Sequence, residues 1–214
     1  MKTIGFFGGT FDPIHLGHVR MAEAFQAQCG LDELIVMPAG EAYHKDNHGQ
    51  ASAADRLAMT QLAVAKLPQA GVSDADIVRR GPTYTADTLA AMRAQYGPDV
   101  AFWWLMGADS LAQLHTWHDF ERLFTLTNFA VAPRDSAVRP QIHPDIQACM
   151  VKKSANKLDA APTQGTIRIL DLSPMLVSSS EIRHKIAHQQ RVNDVLDPDV
   201  WAYIQTHSLY LGSE

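Results

Sequence analysis

Thr3-Ile4-Gly5-Phe6-Phe7 runs directly into Gly8-Gly9-Thr10-Phe11-Asp12-Pro13-Ile14-His15-Leu16-Gly17-His18. The first five residues read as an apolar strand, and a helical pattern follows over residues 16–28. Strand, glycine turn and helix start in that order make an anion site. The first N–H groups of a helix have no partner inside it, and the dipole there favours negative charge. Gly8 and Gly9 carry no Cβ, so a phosphate can approach the backbone. Asp12-Pro13 reads as a helix N-cap followed by the first helical position. His15 and His18, three apart, share one face at the helix start, where two imidazoles suit charge stabilisation on a phosphate. Taken alone, the stretch also fits a tight turn with two surface histidines. Yet Gly8, Gly9, Phe11, Asp12, Pro13, His15, Gly17 and His18 all fit one pattern. At roughly 5% per residue type that is a rare coincidence.

Outward from this stretch, further strand-like runs occupy residues 33–37, 72–78, 100–106, 128–132 and 166–172. Helical patterns cover 52–67, 85–96 and 110–124, with two more near 179–188 and 199–206 and a weaker one around 144–151. Alternating apolar strands and helices predict a parallel sheet covered on both faces, with ligands beyond the carboxyl ends of the strands. With 214 residues the chain is expected to form one domain over 1–214. Hydrophobic residues make up 46% and charged residues 19%, which is ordinary for a soluble globular protein. No apolar run approaches the ~18 residues of a membrane span, so no membrane partner is expected. The net charge of −5 argues against a general nucleic-acid surface. Cys29 and Cys149 lack CxxC spacing and read as reduced thiols, which with the absence of a leader-like start makes the cytoplasm the expected compartment.

The first stretch resembles the GxFDPxHxGH signature of the nucleotidyltransferases, and the whole chain is similar to the bacterial nicotinate-nucleotide adenylyltransferases. The resemblance implies a single Rossmann-like α/β fold: a doubly wound, mostly parallel sheet, helices on both faces and a C-terminal helical extension. It extends to Gly81-Pro82-Thr83-Tyr84-Thr85-Ala86-Asp87-Thr88, similar to the family's G-x-S-Y-T-x-D-T with Thr83 in place of serine. On its own that run fits a well-capped helix, with Thr85 or Asp87 as cap. By resemblance, Tyr84, Thr85 and Ala86 line the acceptor pocket. Gly107-Ala108-Asp109-Ser110 and Trp117 match the family's G-x-D-S and downstream tryptophan. There Gly107 and Asp109 would serve ATP, and Trp117 would stack on the pyridine ring. His44-Lys45 matches a family pair, although Ala42-Tyr43 stands where prolines are usual. Lys45 would contact phosphate; alternatively it is a solvated surface lysine. Arg56 also matches a family position and alternatively fits a surface salt bridge; Arg134 matches a nucleotide-contact position only weakly and equally fits a surface arginine.

Near the other end, Ser178-Ser179-Ser180-Glu181-Ile182-Arg183 resembles the family's S-S-T-x-I-R. Ser178 with Glu181 also satisfies a capping box, which by itself only announces a helix. The resemblance implies that Ser179, Ser180 and Arg183 bind ATP phosphates together with Gly8, Gly9, Thr10, Phe11, His15 and His18. His18, His15, Lys45 and Arg183 would be the catalytic set. No metal-ligating set is read: His184 and His188, four apart, lack an acidic partner or third ligand. Magnesium would arrive with ATP.

The implied reaction is attack of nicotinate mononucleotide on the α-phosphate of ATP. The products are deamido-NAD and pyrophosphate. No general base is needed, because a phosphomonoester has a second pKa of ~6. Absence of GxxxxGK[ST] and of a long GxGxxG disfavours a P-loop kinase or a dinucleotide dehydrogenase. Two alternatives stand beside this reading: transfer to nicotinamide mononucleotide or another phosphomonoester, and a nucleotide-binding regulator without turnover.

Overall fold

The computed structural model describes residues 1–40, 50–79, 83–133, 142–154, 164–173 and 176–211, with residues 150–154 as backbone only. In chain order it contains β1 (Thr3–Gly9), α1 (Leu16–Cys29), β2 (Glu33–Pro38), α2 (Ala53–Val64), β3 (Ala70–Val72), α3 (Ala75–Val78), α4 (Thr85–Tyr96) and β4 (Ala101–Gly107). There follow α5 (Ala108–Gln113), a 3-10 turn (Leu114–Thr116), α6 (Phe120–Leu126), β5 (Asn128–Ala132), α7 (Pro144–Ser154), β6 (Ile167–Ile169), α8 (Ser179–Ala187) and α9 (Pro198–Thr206).

The strands form one sheet in the order β3-β2-β1-β4-β5-β6. The pairings β1–β4, β4–β5 and β5–β6 are parallel. All five residues of β5 are buried, as a strand covered on both faces requires. This is the Rossmann-like α/β architecture that the alternation of runs predicts.

Two compact units make up the chain. One comprises Met1–Phe7, Ala24–Leu34 and Thr83–Pro174; the other comprises Gly8–Glu23, Ile35–Pro82 and Met175–Glu214. In the first, Phe6 of β1 meets Phe102 of β4 edge to face, with centroids 4.9 Å apart. Arg93 lies 3.7 Å over the Phe102 ring and donates to the carbonyls of Gly97, Val100 and Leu126. One guanidinium therefore satisfies three part-buried carbonyls, after α4, before β4 and at the end of α6.

In the second unit, α2 starts at Ser52, whose hydroxyl accepts from the Asp55 N–H at 3.1 Å. Tyr203 of α9 donates to the same Asp55 at 3.0 Å, which fastens α9 to the head of α2. The Asp197-Pro198 start of α9 forms as its cap chemistry predicts.

Two expected elements differ. Residues 72–78 are not one strand: β3 ends at Val72 and α3 follows. Ser73-Asp74 favours a turn, and the Asp74 carbonyl accepts from Ile77 and Val78. Residues 110–124 are not one helix: α5, the 3-10 turn and α6 replace it, with Asp119 at φ 52°. Leu111, Leu114, Leu123 and Phe124 are all buried across that break, so apolar periodicity cannot reveal it.

Candidate active site

The glycine turn belongs to the second unit. Phe11 has φ 51°, the left-handed region that non-glycine residues rarely enter. Its ring is thereby folded back, so that a Cβ on Gly9 would lie 2.7 Å from it. Gly9 thus makes room for Phe11 as well as for any ligand. The Phe11 ring is buried and meets His18 edge to face at 5.1 Å. Arg56 is only 4% exposed, so it is a buried side chain and not a surface one. It donates to the Thr10 carbonyl at 2.7 Å and the Gly40 carbonyl at 3.3 Å, joining the turn to the segment after β2.

Asp12 is not the cap of α1. The helix begins at Leu16, whose N–H donates to the Val195 carbonyl at 2.9 Å, so that donor is already engaged. A carboxylate with 2% exposure needs partners of its own. Oδ1 accepts from the Ala51 N–H at 3.0 Å and the Tyr210 hydroxyl at 2.7 Å, and Oδ2 lies 3.5 Å from Arg183.

His15 and His18 stack with ring centroids 3.7 Å apart. The His15 N–H donates to Nδ1 of His18 at 3.3 Å, which leaves the proton of a neutral His18 ring on Nε2. Burial lowers His15 from 6.5 to about 4. Burial, and then the proximity of His15, hold His18 well below the ordinary histidine range. Both rings are therefore neutral at pH 7 before ligand binds. Nδ1 of His15 is buried without a hydrogen-bond partner among the described residues.

Helix α8 carries the capping box read from the sequence: the Ser178 hydroxyl accepts from the Glu181 N–H, and the Glu181 carboxylate accepts from the Ser178 N–H. Its first turn is fastened to the glycine turn. Ser179 donates its hydroxyl proton to the Pro13 carbonyl at 3.0 Å, and Arg183 donates to the Asp12 carbonyl at 2.7 Å. Ser180 is exposed and accepts a long 3.4 Å contact from Arg183. A Cβ on Gly17 would come within 3.1 Å of Val177, so glycine there admits the approach to α8. The structure thus brings His15, His18, Gly9 and Arg183 into one neighbourhood of the second unit.

The first unit holds the other group. Tyr84 is the N-cap of α4 and makes no side-chain cap; neither Thr85 nor Asp87 caps the helix, contrary to the reading of that run. Ala86 is buried, whereas Tyr84 is 41% exposed and stacks on His118 at 4.3 Å. Trp117 is half-buried beside it in sequence. Gly107 ends β4 and precedes α5, and Asp109 in the first turn of α5 is exposed. Lys45 and Arg134 lie outside the described residues.

Sequence reasoning missed Tyr210 altogether and left His118 unremarked. No local pattern marks Tyr210, which follows the last helix; His118 is flagged only by following Trp117.

The sequence pattern described as cytidylyltransferase-like matches residues 6–185. A Neisseria meningitidis serogroup C protein named "Probable nicotinate-nucleotide adenylyltransferase" is 47% identical over 210 residues, 98% of this chain and 99% of its own. The chain belongs to the nicotinate-nucleotide adenylyltransferase family. A Chromobacterium violaceum protein of the same name is 42% identical, covering 97% of this chain and 98% of its own. The solved Plasmodium falciparum nicotinic acid mononucleotide adenylyltransferase complexed with NaAD superposes with a TM-score of 0.75. It is 19% identical over 98% of each chain, so the likeness is one of fold. Within this adenylyltransferase family member, the cytidylyltransferase-like span includes Asp12, both histidines and Arg183, but ends before Tyr210.

Proposed function

We infer that the chain transfers the adenylyl group of ATP to nicotinate mononucleotide, releasing pyrophosphate and forming deamido-NAD. The observation that carries this reading is the fastening of α8 to the glycine turn through Arg183 and Asp12, in a chain whose full-length relatives bear that enzyme's name.

An acceptor phosphate oxygen attacks the α-phosphorus of ATP while the bond to the β-phosphate oxygen breaks. The acceptor is largely dianionic near pH 7, so no base removes a proton. Catalysis is then positioning plus stabilisation of charge on the pentavalent phosphorus. His18 donates from Nε2 to that phosphorus's oxygens, with His15 assisting. A bound triphosphate raises both histidines, because opposite charge favours the protonated form. Thr10, Lys45 and Arg183 hold phosphates, Arg183 as a permanently charged fork already oriented by Asp12. The Gly8, Gly9, Phe11, Ser179 and Ser180 segments frame them. Gly107 and Asp109 serve the nucleoside end of ATP, and Tyr84, Thr85, Ala86 and Trp117 receive the nicotinate. On this reading residues 1–214 form one nucleotidyltransferase domain.

Magnesium carried on the ATP phosphates would supply charge neutralisation there. Mg²⁺ commonly keeps phosphate and water ligands with only one or two carboxylates. No described helix is long and apolar enough to cross a membrane. Cys29 and Cys149, present as thiols and not as a disulfide, suit a cytoplasmic setting.

The test is pyrophosphate release from ATP with nicotinate mononucleotide, nicotinamide mononucleotide and phosphopantetheine offered in turn. The acid mononucleotide is expected to be used fastest. Equal use of the amide would overturn the choice of acceptor, and no release with any of them would overturn the enzymatic reading.

A further inference from the structure

Beyond α9 the chain makes two left-handed residues that are not glycine, Ser208 at φ 52° and Tyr210 at φ 61°. Non-glycine residues seldom hold such φ values unless contacts elsewhere demand it. Here the contact is specific. The Leu209 N–H returns to the Ile204 carbonyl at 3.0 Å, and the turn delivers the Tyr210 ring into a site where it is 8% exposed. Its hydroxyl donates to Oδ1 of Asp12 at 2.7 Å, across 198 positions of sequence. Burial and the neighbouring Asp12 carboxylate raise the Tyr210 hydroxyl far above its ordinary 10, so it stays a donor at every working pH.

Asp12 also faces Arg183. Arg183 donates to the Asp12 carbonyl at 2.7 Å and stands 3.5 Å from Oδ2, longer than a charge-assisted hydrogen bond. While Tyr210 and the Ala51 N–H satisfy Oδ1, the carboxylate is not driven to take a second arm of the guanidinium. We propose that Tyr210 is a positioning residue for ATP: its hydroxyl holds Asp12 so that Arg183 is oriented by the Asp12 carbonyl and keeps its remaining donors for phosphate. The proposal rests on the adenylyltransferase reading and adds the C-terminal segment to its machinery. Tyr210 touches no reacting atom and acts through Asp12.

The full chain and its Tyr210→Phe variant, assayed for pyrophosphate release, test it. The KM for ATP is expected to rise about tenfold, as loss of a hydrogen bond to a charged group implies. The KM for nicotinate mononucleotide is expected to stay within twofold. An equal rise in both, or in neither, overturns the proposal. In an Asp12→Ala background, which removes the acceptor of the Tyr210 hydroxyl, the same tyrosine change should add nothing; a further tenfold loss would show that Tyr210 acts by another route. Should Tyr210→Phe fail to fold, hydrogen exchange on the unaltered chain decides. Inorganic triphosphate is expected to slow exchange in residues 208–211 about tenfold, since coupling between two sites is reciprocal, and unchanged exchange refutes the link. A wild-type chain that binds triphosphate yet is inert with ATP and every acceptor removes the enzymatic reading, while the exchange result still rules on Tyr210.

Discussion

Around the glycine turn nearly every polar side chain is tied down, whereas in the other group Tyr84 is exposed and Trp117 only half-buried. Asp12 meets three donors, Arg56 bridges two carbonyls, and Ser179 and Arg183 each hold a carbonyl of the turn. Tyr84 is 41% exposed and touches His118 face to face, and Asp109 is exposed. The difference follows from the chemistry each region is proposed to handle. Buried charge is costly without fixed partners, so a triphosphate grip has to be built in advance. A flat aromatic surface recognises a pyridine ring by area and stacking, and needs little prior fixation.

His18→Ala should break the tied region most severely. Turnover is expected to fall by about 10²–10³ while the thermal midpoint barely changes, the usual scale for removing one positioned donor. Single-turnover rates and a melting curve check this together, and retained turnover would remove His18 from its role.

Next in size is a pH effect on stability. Folded His15 stays neutral down to about 4, whereas an unfolded histidine takes a proton near 6.5. Between those values the unfolded chain binds more protons, so stability is lost as pH falls from 6.5 toward 4. The loss should reach roughly 3 kcal/mol over that window. Urea unfolding at pH 7 and pH 4.5 measures it. His15→Asn, neutral throughout, should reduce the dependence and leave the share of His18, which burial also holds below the ordinary range.

Arg183→Lys sharpens the contrast between fork and point charge. A lysine cannot hold the Asp12 carbonyl and grip phosphate with one planar group, so kcat/KM for ATP should drop about 50-fold with KM for the acceptor unchanged. Trp117→Ala is the smallest change and lies in the group with Tyr84. Loss of stacking worth ~1 kcal/mol should raise KM for nicotinate mononucleotide about fivefold and leave KM for ATP alone. If instead both Michaelis constants moved with Trp117, the separation of the two regions would fail.

Much of this was legible before any coordinates. The Ser178–Glu181 box and the Asp197-Pro198 start depend on partners three residues or fewer apart, so sequence spacing states them outright. The breaks at Ser73-Asp74 and at Asp119 were not legible, because burial of Leu111, Leu114, Leu123 and Phe124 continues the apolar rhythm through a change of backbone. Asp12 was misassigned for a related reason: an aspartate before proline is a good local cap, and nothing nearby discloses a stronger competing partner.

By itself, then, the chain's order of residues determined the alternation of strands and helices, the glycine turn with its paired imidazoles, and the second helix start carrying Arg183. Those are matters of local backbone preference and short-range capping, readable at spacings of a few residues. Only the tertiary structure decided that Asp12 serves Tyr210 and Arg183 instead of α1, that Arg56 is a buried brace, and that the Ser179 proton goes to Pro13. Each of those bonds joins groups 46 to 198 positions apart, and a buried polar atom takes whichever partner the packed chain brings within reach.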